Sequence, residues 1–160
     1  SPAKAEAVRA HGADHAIDYT RADVRECVLA ATEGRGADVV FDPVGGDLFD
    51  ASLRCIAPEG RILTIGYAAG RIPQIGINLL LVKNASVMGF FWGWYTGNSK
   101  LPPPADARQR LDAMYAELFR WFEEGRLKPH THASFDLADA VRAFDELENR
   151  RVIGKVVLTP

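Results

Sequence analysis

The sequence predicts an α/β fold built on a parallel sheet, from three observations. First, short apolar runs without alternation, Val39-Val40-Phe41 and the Arg61–Gly66 stretch (RILTIG), read as strands covered on both faces. Second, such runs alternate with stretches whose apolar residues recur at helical spacing, in the order αβαβαβ(α)β, which is the order of a sheet joined by right-handed crossovers. Third, the central run ends in Asp42-Pro43-Val44-Gly45-Gly46. Proline has no N–H to give a ladder, and the two glycines allow a backbone path that residues with a Cβ resist. Ligands of open α/β sheets sit at the carboxyl ends of strands, so the Pro43–Gly46 turn is the expected place for one.

Taken in order, the chain opens with a helix from Pro2 to about His11. Ser1 suits its cap, Pro2 its first position and Gly12 its stop. His15–Tyr19 (HAIDY) reads as a strand. Thr20 with Asp23 resembles a capping box. Val24, Cys27, Val28 and Ala31 make one face of the next helix, which Gly34 and Gly36 end. After the central strand and turn, Leu48, Phe49, Leu53 and Ile56 mark a helix. Pro58–Gly60 is a turn, Arg61–Gly66 a strand and Tyr67–Gly76 a loop. Ile77–Lys83 reads as a short helix and Ser86–Phe91 as a further strand. Trp92–Pro104 is a loop rich in Gly and Pro.

Ala105–Glu124 is the strongest helix. Its stripe of Leu111, Met114, Tyr115, Leu118, Trp121 and Phe122 is expected to pack in a core rather than to hold a cofactor. Gly125 ends it. Lys128–Phe135 is an expected strand, Leu137–Glu148 a helix capped by Asp136, and Gly154–Thr159 a last strand. The expected division is a first domain over residues 1–104 and a carboxyl-terminal α/β segment over 105–160.

Composition narrows the function. The chain has 160 residues, 48% of them hydrophobic, which suits a soluble globular protein with room for one main core. A net charge of −2 without a basic run excludes a nucleic-acid footprint. The longest apolar run, Ile77–Val82, is broken by Asn78 and too short to span a bilayer, and no signal peptide is evident. Cys27 and Cys55 are lone cysteines, which points to a reducing cytoplasm.

Motifs exclude more than they assign. There is no Gly-x-Gly-x-x-Gly; Gly34 and Gly36 precede a strand instead of following one. No His-Glu-x-x-His, Cys-x-x-Cys or Gly-x-Ser-x-Gly occurs, and no Tyr has a Lys four residues later. His130 and His132 alternate on an expected strand, but with no third ligand nearby they read as surface histidines and no metal site is assigned. Lys4 stands in the first turn of a helix, where the macrodipole disfavours a cation. A bound anion would reverse that sign, since helix terminus and Lys4 would both face it; the other reading is a solvated lysine.

The ordered set SPAKAEAVRAHGADHAIDY, GRGADVVFDPVGG, APEGRILTIGYAAG, NLLLVKNASVMGFFWG, EGRLKP and ENRRVIGKVVL closely resembles the medium-chain dehydrogenase/reductase superfamily. Within it the set is most similar to the zinc-independent NADPH:quinone oxidoreductases. The resemblance covers nearly the whole chain. It implies a Rossmann-like nucleotide-binding domain truncated at its amino terminus. The chain would begin where the family's second strand ends, without the phosphate loop or the catalytic domain. Residues 105–160 would be the segment that returns to that catalytic domain.

The resemblance also implies roles. Lys4 and Tyr19 match a Lys and a Tyr at the 2′-phosphate of NADPH, and Arg150 matches an Arg that reaches the same phosphate, with Arg151 able to exchange for it. Val44 and Gly45 sit where the cofactor crosses the fourth strand. Gly66, Tyr67 and Ala68 lie beside the nicotinamide ribose. Phe91 and Trp92 back the nicotinamide, or else pack at the sheet edge. Lys155 lies close to the cofactor. Two cations and a phenol around one phosphate are chemically coherent, since the cations supply charge-assisted bonds.

The implied chemistry is hydride transfer from NADPH to a quinone or an α,β-unsaturated carbonyl. A zinc-dependent alcohol dehydrogenase, an enoyl-thioester reductase and a non-catalytic nucleotide-binding or dimerising module are the alternatives. No catalytic residue is expected in this chain, which is expected to be silent by itself. Ser86–Phe91 ends the run of strands, is apolar and has no Lys or Pro to guard it, so a homodimer through that edge is expected.

Overall fold

The computed structural model describes residues 1–160, and the chain divides into two compact units, Ser1–Leu101 and Pro102–Pro160. In the first unit, helix α1 (Pro2–Ala10) and helix α2 (Val24–Ala31) precede strand β1 (Ala37–Asp42). Helix α3 (Gly46–Cys55) leads straight into strand β2 (Ile56–Thr64). Helix α4 (Asn78–Lys83) leads to strand β3 (Ser86–Gly89), and a single helical turn, α5 (Trp92–Tyr95), follows. The sheet is parallel throughout in the order β1-β2-β3. Asp42 and Thr64 stand side by side at the carboxyl ends of the first pair, and Thr64 and Gly89 at those of the second.

The core lies where α3 crosses the sheet. Phe49 and Leu53 of α3 meet Ile56 and the fully enclosed Ile62 of β2, with Val40, Leu80 and Val87 packed around them. The spacing of Phe49 and Leu53 puts both on one helix face, as the apolar pattern requires. Cys55 ends that face, and burial pushes its thiol above the ordinary range.

Several expectations change. Val39 and Phe41 are not covered on both sides. They are 55% and 68% exposed, because alternation turns Val40 to α3 and its two neighbours to the opposite face, where no layer packs. HAIDY makes no strand. A strand exists through its ladder, and residues 15–19 belong to no ladder, while the sole sheet neighbour of β1 is β2. The cap of α2 is Asp23, whose carboxylate accepts the Glu26 N–H at 2.8 Å; Thr20 instead bonds to Asp18. Neither Ser1 nor Asp136 makes a side-chain cap bond. The Pro58–Gly60 turn survives inside the span of β2: Glu59 has φ +61°, and the register jumps from Ala37↔Ile56 to Val39↔Arg61. β3 stops at Gly89, so Phe90 and Phe91 lie beyond it, and α5 occupies part of the expected loop.

The second unit contains helix α6 (Ala107–Glu123), strand β4 (Thr131–Asp136), a 3-10 turn at Leu137–Asp139, helix α7 (Ala140–Glu148) and strand β5 (Lys155–Thr159). β4 and β5 form a two-stranded parallel pair. The aromatic stripe of α6 packs only in part. Ala107 is its one buried residue, Leu111, Met114, Leu118 and Trp121 are half-buried, and Tyr115 and Phe122 stay exposed. Two strands and a small unit do not offer enough apolar surface to enclose two amphipathic helices.

Candidate functional site

The turn after β1 is built by one carboxylate. Asp42, 5% exposed, accepts the N–H groups of Val44 and Gly45 through Oδ1, both at 2.9 Å. Gly45 takes φ +69°, and a Cβ there would come within 3.0 Å of the Tyr67 ring and 3.1 Å of the Arg71 carbonyl oxygen. The loop after β2 lies directly on this turn. Ile65 N–H donates to Asp42 O at 3.0 Å, Ala68 N–H to Pro43 O at 3.2 Å, and Ala69 N–H to Val44 O at 2.9 Å. The Arg71 guanidinium pins the far end of the loop to the first turns of α3 through Asp47 at 2.9 Å and Asp50 at 2.5 Å. Val44, Gly45, Gly66, Tyr67 and Ala68, expected from sequence to share a site, are thus brought together at the carboxyl ends of β1 and β2.

A cavity of about 350 Å³ opens beside them, within the range of small-molecule sites. Thr64, Gly66 and Tyr67 line it from the end of β2, Phe90 and Phe91 from the end of β3, and Trp94, Ser99 and Leu101 from beyond. No lining side chain is charged. Thr64 Oγ1 is buried there without a protein partner, whereas Ser99 Oγ accepts the Leu101 N–H at 3.1 Å. Trp92 is not in the lining. It sits in an aromatic cluster with Phe90, 6.5 Å between centroids, and Tyr95, 6.3 Å. Sequence reasoning missed Trp94, Ser99 and Leu101. The available signal was the run FFWGWY, five aromatics in six residues, which is denser than a sheet edge needs.

The other expected residues lie elsewhere. Lys4 is half-buried in the first turn of α1, and Tyr19, the last residue of HAIDY, is 57% exposed at the start of a turn. The two segments approach each other at Ser1, whose amine lies 3.7 Å from Asp18 Oδ2. The Thr20 hydroxyl and amide, bonded to Asp18 Oδ1, hold that carboxyl below its ordinary value of 3.8. A second hollow, lined by Arg9, His15, Ile17, Asp18 and Cys27 among others, lies between α1 and α2. Arg150 and Lys155 belong to the second unit. Arg150 takes φ +55° after α7, and Lys155 N–H bonds to His130 O at 3.0 Å. Arg151 pairs with Glu146 through two bonds of 2.9 Å. No three His, Cys, Asp or Glu side chains gather to hold a metal ion.

Parallel strands, a glycine turn and a cavity at the strand ends define a Rossmann-like nucleotide-binding α/β domain. The chain belongs to the zinc-binding dehydrogenase family, whose profile matches residues 11–158. It is 40% identical over 148 residues to a quinone oxidoreductase-like protein 2 homolog from Nematostella vectensis, covering 92% of this chain and 38% of that one. The quinone oxidoreductase of Pseudomonas syringae pv. tomato superposes with a TM-score of 0.82 at 34% identity, covering all of this chain and 47% of that one. A mycobacterial protein solved in complex with NADPH superposes with a TM-score of 0.78 at 28% identity, covering all of this chain and 48% of that one. The chain therefore spans less than half the length of each of these relatives. The resemblance to the medium-chain dehydrogenase/reductase superfamily holds. The family's name implies zinc, but the residues of this chain do not supply a ligand set for it.

Proposed function

We propose that the chain is the cofactor-binding part of an NADPH-dependent oxidoreductase that reduces a quinone or an α,β-unsaturated carbonyl. The observation that carries this reading is the meeting of Val44, Gly45, Gly66, Tyr67 and Ala68 beside an uncharged, aromatic-lined cavity at the strand ends. A dinucleotide would lie along these loops, its nicotinamide ring at the cavity and its 2′-phosphate toward Lys4 and Tyr19; Arg150 is the second unit's own candidate for a cofactor contact. Bound there, the cofactor supplies the hydride; the protein orients it and excludes water. Phe91 supplies an apolar wall, Trp92 belongs to the aromatic cluster beside it, and Lys155 acts from the second unit. A cytoplasmic setting fits the two free cysteines and the absence of any helix long and apolar enough to cross a membrane. The active form is a homodimer joined along β3.

A second reading, a nucleotide-binding module without turnover of its own, is favoured by one observation. The cavity lining holds no His, Asp, Glu, Lys or Cys, and Tyr67 is its one side chain of a type that serves as a general acid. One experiment tests the cofactor binding that both readings require. The purified chain is mixed with NADPH and a quinone, and binding and NADPH oxidation are followed in parallel. Binding without oxidation is expected of this chain by itself, since its proposed contacts bind and orient the cofactor and none is assigned a catalytic role. Quinone-dependent oxidation would overturn the expectation of silence, and failure to bind NADPH would overturn the cofactor reading.

A further inference from the structure

The loop after β2 is fastened to the turn after β1 by a charged residue outside the cavity lining. Residues 67–71 cross the Asp42–Gly46 turn as a strap. Ala68 and Ala69 donate to the Pro43 and Val44 carbonyls, Gly70 N–H closes back on Tyr67 O at 2.8 Å, and Arg71 O accepts the Gly46 N–H at 3.1 Å. Arg71 holds that strap a second time with its side chain. Its Nη2 donates to Asp47 Oδ1 at 2.9 Å and to Asp50 Oδ2 at 2.5 Å. Asp47 and Asp50 stand one helical turn apart on α3, so their carboxylates share a face and repel each other unless a cation sits between them. Burial does not fix this end of the strap: Ile72, the next residue, is 65% exposed, and the loop meets the core again at Ile75.

All three charged side chains are open to water, and ion pairs of that kind add little to global stability. Their effect here is local. A segment tied at its far end has less conformational freedom to give up when a ligand settles on it. Tyr67 and Ala68, in the same strap, belong to the candidate cofactor contacts.

We propose that Arg71 is a positioning residue: held by Asp47 and Asp50, it pre-orders the Tyr67–Arg71 strap for the nicotinamide half of a dinucleotide without touching the ligand. This deepens the cofactor reading above and rests on it for the identity of the ligand.

Amide hydrogen exchange of the ligand-free 160-residue chain reads the strap itself. Arg71→Ala and the double variant Asp47→Asn/Asp50→Asn are each expected to speed exchange at Ala68 and Ala69 by about three- to tenfold, while the Ile62 amide in the core keeps its rate. Arg71→Lys keeps the charge but not the planar fork, and should recover part of the protection. Calorimetry then compares NADPH with its two halves. Arg71→Ala and the double variant are each expected to bind NADPH and reduced nicotinamide mononucleotide about three- to tenfold more weakly, and 2′,5′-ADP as the wild type does. The double variant also separates positioning from contact. An Arg71 that met a phosphate itself would be freed by losing its carboxylates, and NADPH would then bind more tightly. Tighter NADPH binding in that variant would overturn the proposal, as would unchanged exchange at Ala68 and Ala69 or equal weakening of all three ligands. A wild-type chain that binds none of the three refutes the cofactor reading and the proposal with it; one that binds NADPH equally well with and without the Arg71 side chain refutes only the role of Arg71.

Discussion

The Asp42 carboxylate grips the Gly45 amide at 2.9 Å, three residues on, and the Val44 amide at the same distance. This single side chain shapes the turn on which the loop after β2 rests. Its other oxygen is buried without a partner, so the net gain is less than the two bonds would suggest. Asp42→Ala is expected to lower stability by about 2 kcal/mol, and Asp42→Asn, which keeps an acceptor at Oδ1, to recover most of it. Urea denaturation of the three proteins checks this. An unchanged midpoint in Asp42→Ala would mean that the turn holds without its cap.

Lys4→Ala is expected to weaken NADPH by the loss of one charge-assisted bond, roughly 1.5–3 kcal/mol or about ten- to a hundredfold. NADH, which lacks the 2′-phosphate, should bind nearly as before. Calorimetry with each dinucleotide decides the point, and equal losses for both would show that Lys4 does not read the phosphate.

β3 is the edge of its sheet; its Met88 is 49% exposed, and Phe90 and Phe91, just past its end, are 44% and 60% exposed. An apolar edge of this kind invites pairing with a second copy. Met88→Lys would bury a charge in such an interface and should shift a dimer to monomer or aggregate. Light scattering at micromolar concentration reads the outcome, and a wild-type mass of one chain would rule the pairing out.

Asp18 titrates below its ordinary 3.8, chiefly through the Thr20 hydroxyl bond and next through the Thr20 amide. A depressed carboxyl stabilises its fold above the unfolded value, and that contribution is lost as pH falls through the folded one. The turn carrying Tyr19 should therefore keep its order at neutral pH and loosen in acid below 3.8. Thr20→Ala should move the Asp18 titration upward and the loosening to higher pH, as followed by NMR of the Asp18 carboxyl and the Tyr19 ring. Superimposable titrations in the two proteins would deny Thr20 this role.

The local part of this protein was written in its residues. Helical spacing at Phe49 and Leu53 placed the core helix, the unalternating runs placed β1 and β2, and Pro43 with two glycines placed the turn between strand and helix. These are properties of neighbours along the chain: a missing N–H, a permitted positive φ, a period of 3.6. Other outcomes depended on which distant segments meet. HAIDY has the composition of a strand but no ladder partner, and Val39 and Phe41 have the composition of a two-sided core but nothing over their outer face. Phe91 lines the cavity, Trp92 joins the neighbouring cluster and Trp94 comes into the lining, because β3 ends at Gly89 and α5 turns the chain there. Pairing and burial are settled between elements far apart in sequence, and no local pattern encodes them.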